Sequence, residues 1–256
     1  MRKVLIGVGA VLLGLVVAVP AGAQGKGPLK VATDLPAPGF WNGETPDNVD
    51  GGFEYDMALE IADRLGYDGI EVSDVSFDAL VAGQLSGFDI ALSQVTITEE
   101  RGEVVDFTTP YFASDQGVLV LKGTKVTERN AKKLQWGVQR ATTAQFFLKD
   151  VLKPKKKVRT YKQTVDLFAA LRAKQIDAVL LDTAIVLEQA AASNGKLKVV
   201  AQYATGEEYG GILVQDSPLL TDIDAVISAL KDEGFLNDLT AEYLGGDPST
   251  VKFIEP

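Results

Sequence analysis

Short apolar runs alternate with stretches of helical periodicity along most of the chain. Residues 29–33 predict a strand, and the proline- and glycine-rich 34–39 predict the loop after it. Over 55–65 the apolar residues Met57, Ile61, Ala62 and Leu65 share one helix face, with Gly66 as the stop. Residues 71–73 predict a strand, 77–85 a helix and 88–92 a buried strand. The rhythm then restarts. Strands are predicted over 116–121, 134–139, 158–161 and 178–181, with helices over 143–152, 165–173 and 184–192. Strands over 197–201 and 211–214 and helices over 219–234 and 236–243 close the chain. Such alternation implies parallel sheets with helices on both faces. The stretches 77–92 and 165–180 share one layout, a helix followed by a polar turn with an aspartate and a buried strand, which two similar α/β lobes account for.

The first residues depart from this rhythm. Arg2 and Lys3 form a basic start, 4–19 are apolar apart from glycine, and Pro20-Ala21-Gly22-Ala23 offers small residues at signal-peptidase spacing. Residues 1–23 read as a signal peptide cleaved after Ala23, marginal in length for a membrane span of roughly 20 apolar residues. With no cysteine, a lipid anchor is not expected. The expected location is periplasmic or otherwise extracytoplasmic.

Composition removes whole classes of chemistry. The chain contains no histidine and no cysteine, which excludes Ser-His-Asp and Cys-His nucleophile systems, thiolate metal sites, iron–sulfur clusters and disulfides. No calcium-loop spacing appears, so neither a metal nor a cofactor is expected. The formal net charge of -10 argues against a nucleic-acid partner, which needs a clustered basic surface.

In open α/β sheets ligands bind beyond the carboxyl ends of strands, which points to three segments. After Leu92 comes Ser93-Gln94-Val95-Thr96-Ile97-Thr98-Glu99-Glu100-Arg101, where Arg101 can grip a carboxylate with its planar fork or lie on the surface beside an N-cap. After Gln139 come Thr142 and Thr143 at a helix start, an anion site or an ordinary cap. After Leu181 comes Asp182, an ammonium acceptor or another cap. Together, a carboxylate clamp and an ammonium acceptor at converging strand ends describe an α-amino acid.

Residues 88–101, followed by Val105-Asp106-Phe107-Thr108-Thr109-Pro110-Tyr111-Phe112, resemble the family 3 extracellular solute-binding proteins, the polar amino acid receptors of ABC importers. Thr33-Asp34, Gly52-Phe53-Glu54-Tyr55-Asp56, 137–143 and Ile176-Asp177-Ala178 with Asp182 extend the resemblance over essentially the whole mature chain. The resemblance implies a two-lobe α/β periplasmic-binding-protein fold of type II, with lobe one at 28–114 plus 211–256 and lobe two at 115–210. The crossings would fall near 113–117 and 207–210. It implies that Arg101 and Thr96 hold the substrate carboxylate, joined by Thr142 or Thr143, that Asp182 takes the ammonium with help from the Gln94 position, and that Asp34 meets the substrate side chain. Family members carry an aromatic soon after the Thr-Asp pair. Here Trp41 is expected to supply it, with Phe77 as a pocket wall or a core residue, while Trp136 packs beneath its strand. The implied protein is a monomer that captures an amino acid by hinge closure and delivers it to a permease. It is not an enzyme. The alternative is a dehydratase on the same scaffold acting on a cyclic carboxylic acid, with Asp34 or Glu207 as proton donor.

Overall fold

A computed structural model describes residues 26–256. The signal peptide expected over 1–23 lies outside the described residues. Two five-stranded mixed sheets, each flanked by helices, form a two-lobe α/β fold of type II.

In the first lobe the chain runs β1 (Leu29–Thr33), α1 (Phe53–Arg64), β2 (Ile70–Asp74), α2 (Phe77–Val81), β3 (Ile90–Ala91), α3 (Glu99–Gly102) and β4 (Asp106–Phe107). The second lobe follows with β5 (Phe112–Leu121), α4 (Glu128–Ala131), β6 (Trp136–Gln139), α5 (Thr143–Phe146), β7 (Arg159–Tyr161), α6 (Thr164–Arg172), β8 (Ala178–Asp182), α7 (Thr183–Ala191) and β9 (Leu197–Tyr209). The chain then returns to the first lobe for β10 (Ile212–Leu213), α8 (Leu220–Asp232) and α9 (Phe235–Tyr243). The first sheet has the order β2-β1-β3-β10-β4 and the second β7-β6-β8-β5-β9.

The parallel pairings expected from the βα rhythm occur among β1, β2 and β3 and among β6, β7 and β8. The strands near the crossings run the other way: β10 is antiparallel to β3 and β4, and β5 is antiparallel to β8 and β9. β9 is far longer than the strand expected over 197–201. It pairs with β5 from Leu121↔Leu197 to Phe112↔Tyr209, so the two crossings lie side by side as adjacent strands. Two other elements are shorter or altered. α2 stops before Gly83, which adopts φ 64, and α5 passes after one turn into a π-helical turn, Phe147–Leu152, ended by left-handed Lys153.

Each lobe has its own core. Met57 and Ile61 of α1, Ile223 and Ile227 of α8 and Leu29 of β1 pack together in the first. Trp136, Val138, Leu167, Leu171 and Val179 pack in the second, where the Trp136 indole donates to the Ala131 carbonyl at 2.8 Å. The last residues, expected with lobe one, run instead against lobe two. Phe253 bridges to Gln202 through its backbone while its side chain stays half exposed, and Val251 and Ile254 are buried, Ile254 in the second core, where β9 offers a free edge.

Candidate ligand-binding site

The carboxyl ends of β1, β3, β6 and β8 converge on a cavity between the lobes. Its lining includes Asp34, Phe77, Gln94, Thr96, Arg101, Gln139, Thr142, Thr143 and Asp182. The lobes touch across it. Gln139 Nε2 donates to Asp34 Oδ2 at 2.9 Å, Arg101 Nη2 donates to the Ala141 carbonyl at 2.9 Å, and Arg140 pairs with Asp78.

Arg101 is presented by α3, whose N-cap Thr98 accepts the Arg101 backbone N–H at 3.2 Å. Its guanidinium donates to the Thr96 carbonyl at 2.6 Å and lies over the Phe77 ring, 5.5 Å from its centroid. It is 6% exposed, and burial lowers its pKa to about 10 despite the pull of Asp182 and Glu207. Among the described residues no carboxylate forms an ion pair with it. A buried cation held only by carbonyls has charge to offer an anion. Phe77 forms a wall of the cavity from the first turn of α2.

The two neighbouring threonines do different work. Thr142 is the N-cap of α5: its hydroxyl accepts from Gln145 N at 3.3 Å and donates to the Gln139 carbonyl at 2.8 Å. The Thr143 hydroxyl donates to Glu207 Oε2 at 2.6 Å, and the Thr96 hydroxyl donates to the same oxygen at 2.7 Å.

Asp182 opens α7 but makes no cap bond with its side chain. Its carboxylate accepts from Gln116 Nε2 at 2.6 Å and from the Tyr209 hydroxyl at 2.6 Å. Burial first, and then the nearby Glu207 charge, raise its pKa to about 7. Asp34, also raised to about 7 chiefly by burial, keeps Oδ1 buried and without a partner.

The Gln94 side chain, which lines the cavity, and the Trp41 indole beneath it both donate to Glu54 Oε2. Gln94 takes a left-handed backbone, φ 49, stabilised by its N–H donating to Glu54 Oε1 at 2.8 Å and by its side-chain amide donating to Glu54 Oε2. Trp41 does not line the cavity. It is fully buried, and its indole N–H donates to Glu54 Oε2 at 2.8 Å and to the Leu92 carbonyl at 3.1 Å. A buried indole needs a partner for its N–H, and Glu54 supplies one below the loop, so the neighbouring Phe40 faces the cavity instead. Glu54 also receives the Tyr111 hydroxyl. Burial raises its pKa, opposed first by the Tyr111 bond.

Glu54, Gln116, Glu207 and Tyr209 were not among the expected binding residues. Glu54 carried a legible signal, a carboxylate on the apolar face of α1 beside Phe53 and Met57. The other three meet the site only through the long pairing of β5 with β9, which spacing does not reveal.

Residues 29–246 match the bacterial extracellular solute-binding proteins, family 3, and the chain belongs to that family. The L-cystine-binding protein TcyJ of Escherichia coli is 30% identical over 201 residues, 77% of this chain and 75% of the relative. An amino acid ABC transporter substrate-binding protein from Streptococcus pneumoniae, solved bound to L-arginine, is 29% identical with a TM-score of 0.76, over 87% of this chain and 96% of that one. The ancestral amino acid-binding protein AncCDT-1, a precursor of cyclohexadienyl dehydratase, is 26% identical with a TM-score of 0.73, over 85% of this chain and 95% of that one.

Proposed function

We propose that this protein is an exported, monomeric receptor that captures a free L-amino acid with a cationic side chain and hands it to the permease of an ABC importer. The observation that carries the reading is Arg101, a buried guanidinium without a carboxylate partner, facing the same cavity as Asp182. One cation and one anion match the carboxylate and ammonium of an α-amino acid. Asp34 and Glu188 also line the cavity, so carboxylates exceed guanidinium groups there. Asp34 Oδ1, buried without a partner, is placed to take a donor from a cationic side chain. The ligands named for the relatives, L-cystine and L-arginine among them, support an amino acid of polar type. Binding draws the lobes together about the paired strands β5 and β9, and closure excludes water, which strengthens each charge-assisted bond. A dehydratase would use a buried acid such as Asp34, whose pKa is raised to about 7, but the binding-protein relatives favour capture over that alternative.

The test is a thermal-shift and calorimetric screen of the mature protein, refolded to remove carried-over ligand, against the twenty amino acids and cyclic carboxylic acids. L-arginine or L-lysine should raise the midpoint, with a stabilisation of about 2.7 kcal/mol at a hundredfold excess over Kd. A response confined to neutral amino acids would remove the side-chain assignment, and one confined to a cyclic acid would remove the receptor reading.

A further inference from the structure

We propose that Glu207 is a tethered competitor for the ligand's carboxylate, holding the Thr96 and Thr143 hydroxyls that an amino acid must take over when it binds. The proposal rests on the reading above that the cavity takes an amino acid.

Glu207 lies in the crossing part of β9, paired with Ser114 of β5. The loop after β3 is pinned beside it: Ile97 N–H donates to the Glu208 carbonyl at 2.9 Å, Gly210 N–H donates to the Val95 carbonyl at 3.0 Å, and Thr96 bridges to Tyr209. The backbone therefore keeps Thr96 of the first lobe next to Glu207. Thr143 arrives from the second lobe, at the start of α5. Both hydroxyls donate to Glu207 Oε2, at 2.7 and 2.6 Å, while Gln116 Nε2 donates to Oε1 at 2.9 Å. One carboxylate thus ties both lobes together at the seam.

A hydroxyl has a single proton. While Thr96 and Thr143 spend theirs on Glu207, they show only lone pairs to any other group. A ligand carboxylate approaching Arg101 needs those protons, and it also meets the charge of Glu207. The two carboxylates compete for the same donors. Glu207 is therefore a positioning residue that lowers the affinity for any ligand presenting a carboxylate there and helps hold the lobes together before one arrives.

The variants Glu207→Ala and Glu207→Gln test this in the mature protein, with L-arginine and its decarboxylated amine agmatine as probes and thermal midpoints confirming that both variants fold. L-arginine should bind Glu207→Ala about three- to tenfold more tightly than wild type, the scale of one recovered hydrogen bond, with Glu207→Gln between them. Agmatine, which brings no carboxylate, should gain nothing. Weaker or unchanged arginine binding in Glu207→Ala, or an equal gain for agmatine, would overturn the proposal. A second arm uses no ligand: spin labels on the two lobes should show a wider distance distribution in Glu207→Ala than in wild type, and an unchanged distribution would overturn the latch. Wild-type protein that binds neither probe would count against the proposed function, and the ligand-free arm would then decide the role of Glu207 by itself.

Discussion

A guanidinium withdrawn from water is costly unless its donors and its charge are both answered, and Arg101 has two of its five N–H donors bonded and its charge unpaired. Two carbonyls take hydrogen bonds from it, while burial lowers its pKa to about 10. A ligand carboxylate would complete the balance with two parallel charge-assisted bonds. Arg101→Ala should therefore weaken amino acid binding by about 2–5 kcal/mol in calorimetry, the scale for truncating one partner of a buried charge pair. Arg101→Lys should recover only a part, because an ammonium is a point charge without a fork. Affinity unchanged in Arg101→Ala would reject the clamp. Arg101 was legible in the sequence because strand end, cap and arginine fall within one short segment, where local spacing determines geometry. Trp41 was not. Which of the adjacent Phe40 and Trp41 turns inward depends on Glu54, thirteen residues along the chain, whose carboxylate draws the indole N–H beneath the floor.

At the scale of elements, periodicity located β1, α1, β8 and the closing helices well, since each has an apolar face that must be buried. It could not show strand direction, so the antiparallel strands β5, β9 and β10 stood outside the expected parallel pattern. Nor could it show the outer half of β9, where Ala204-Thr205-Gly206-Glu207-Glu208 looks polar and becomes a strand because β5 lies alongside it. The packing of α7 on β5 depends on Gly117. A Cβ there would lie 2.6 Å from Val186 Cγ2 and 2.9 Å from the Thr183 backbone, closer than packed atoms allow. Gly117→Ala should cost about 1–3 kcal/mol in urea unfolding, as overpacking does. Because Asp182 leads directly into α7, the same variant should also weaken ligand binding. A variant as stable as wild type would show that the helix can move away freely.

At the scale of the whole molecule, Asp34 projects from one lobe and Asp182 from the other, and the pKa of each is raised to about 7. In the unfolded chain their carboxyls titrate near 3.8. Between those values the folded protein holds more protons than the unfolded chain, so their contribution to stability is largest at low pH and is lost as pH rises through about 7. Ligand binding runs the opposite way, because an ammonium or a cationic side chain is attracted to the ionised carboxylates. The ligand-free thermal midpoint should therefore fall between pH 5 and pH 8 by more in wild type than in Asp182→Asn, whose amide does not titrate. Comparing the two removes the background from the net charge of -10, which both proteins share apart from one group. Over the same range the midpoint shift produced by a bound amino acid should grow in wild type. A shift as large at pH 5 as at pH 8 would mean that Asp34 and Asp182 do not change ionisation on ligand binding in that range, and that neither titrates near 7 in the ligand-free protein.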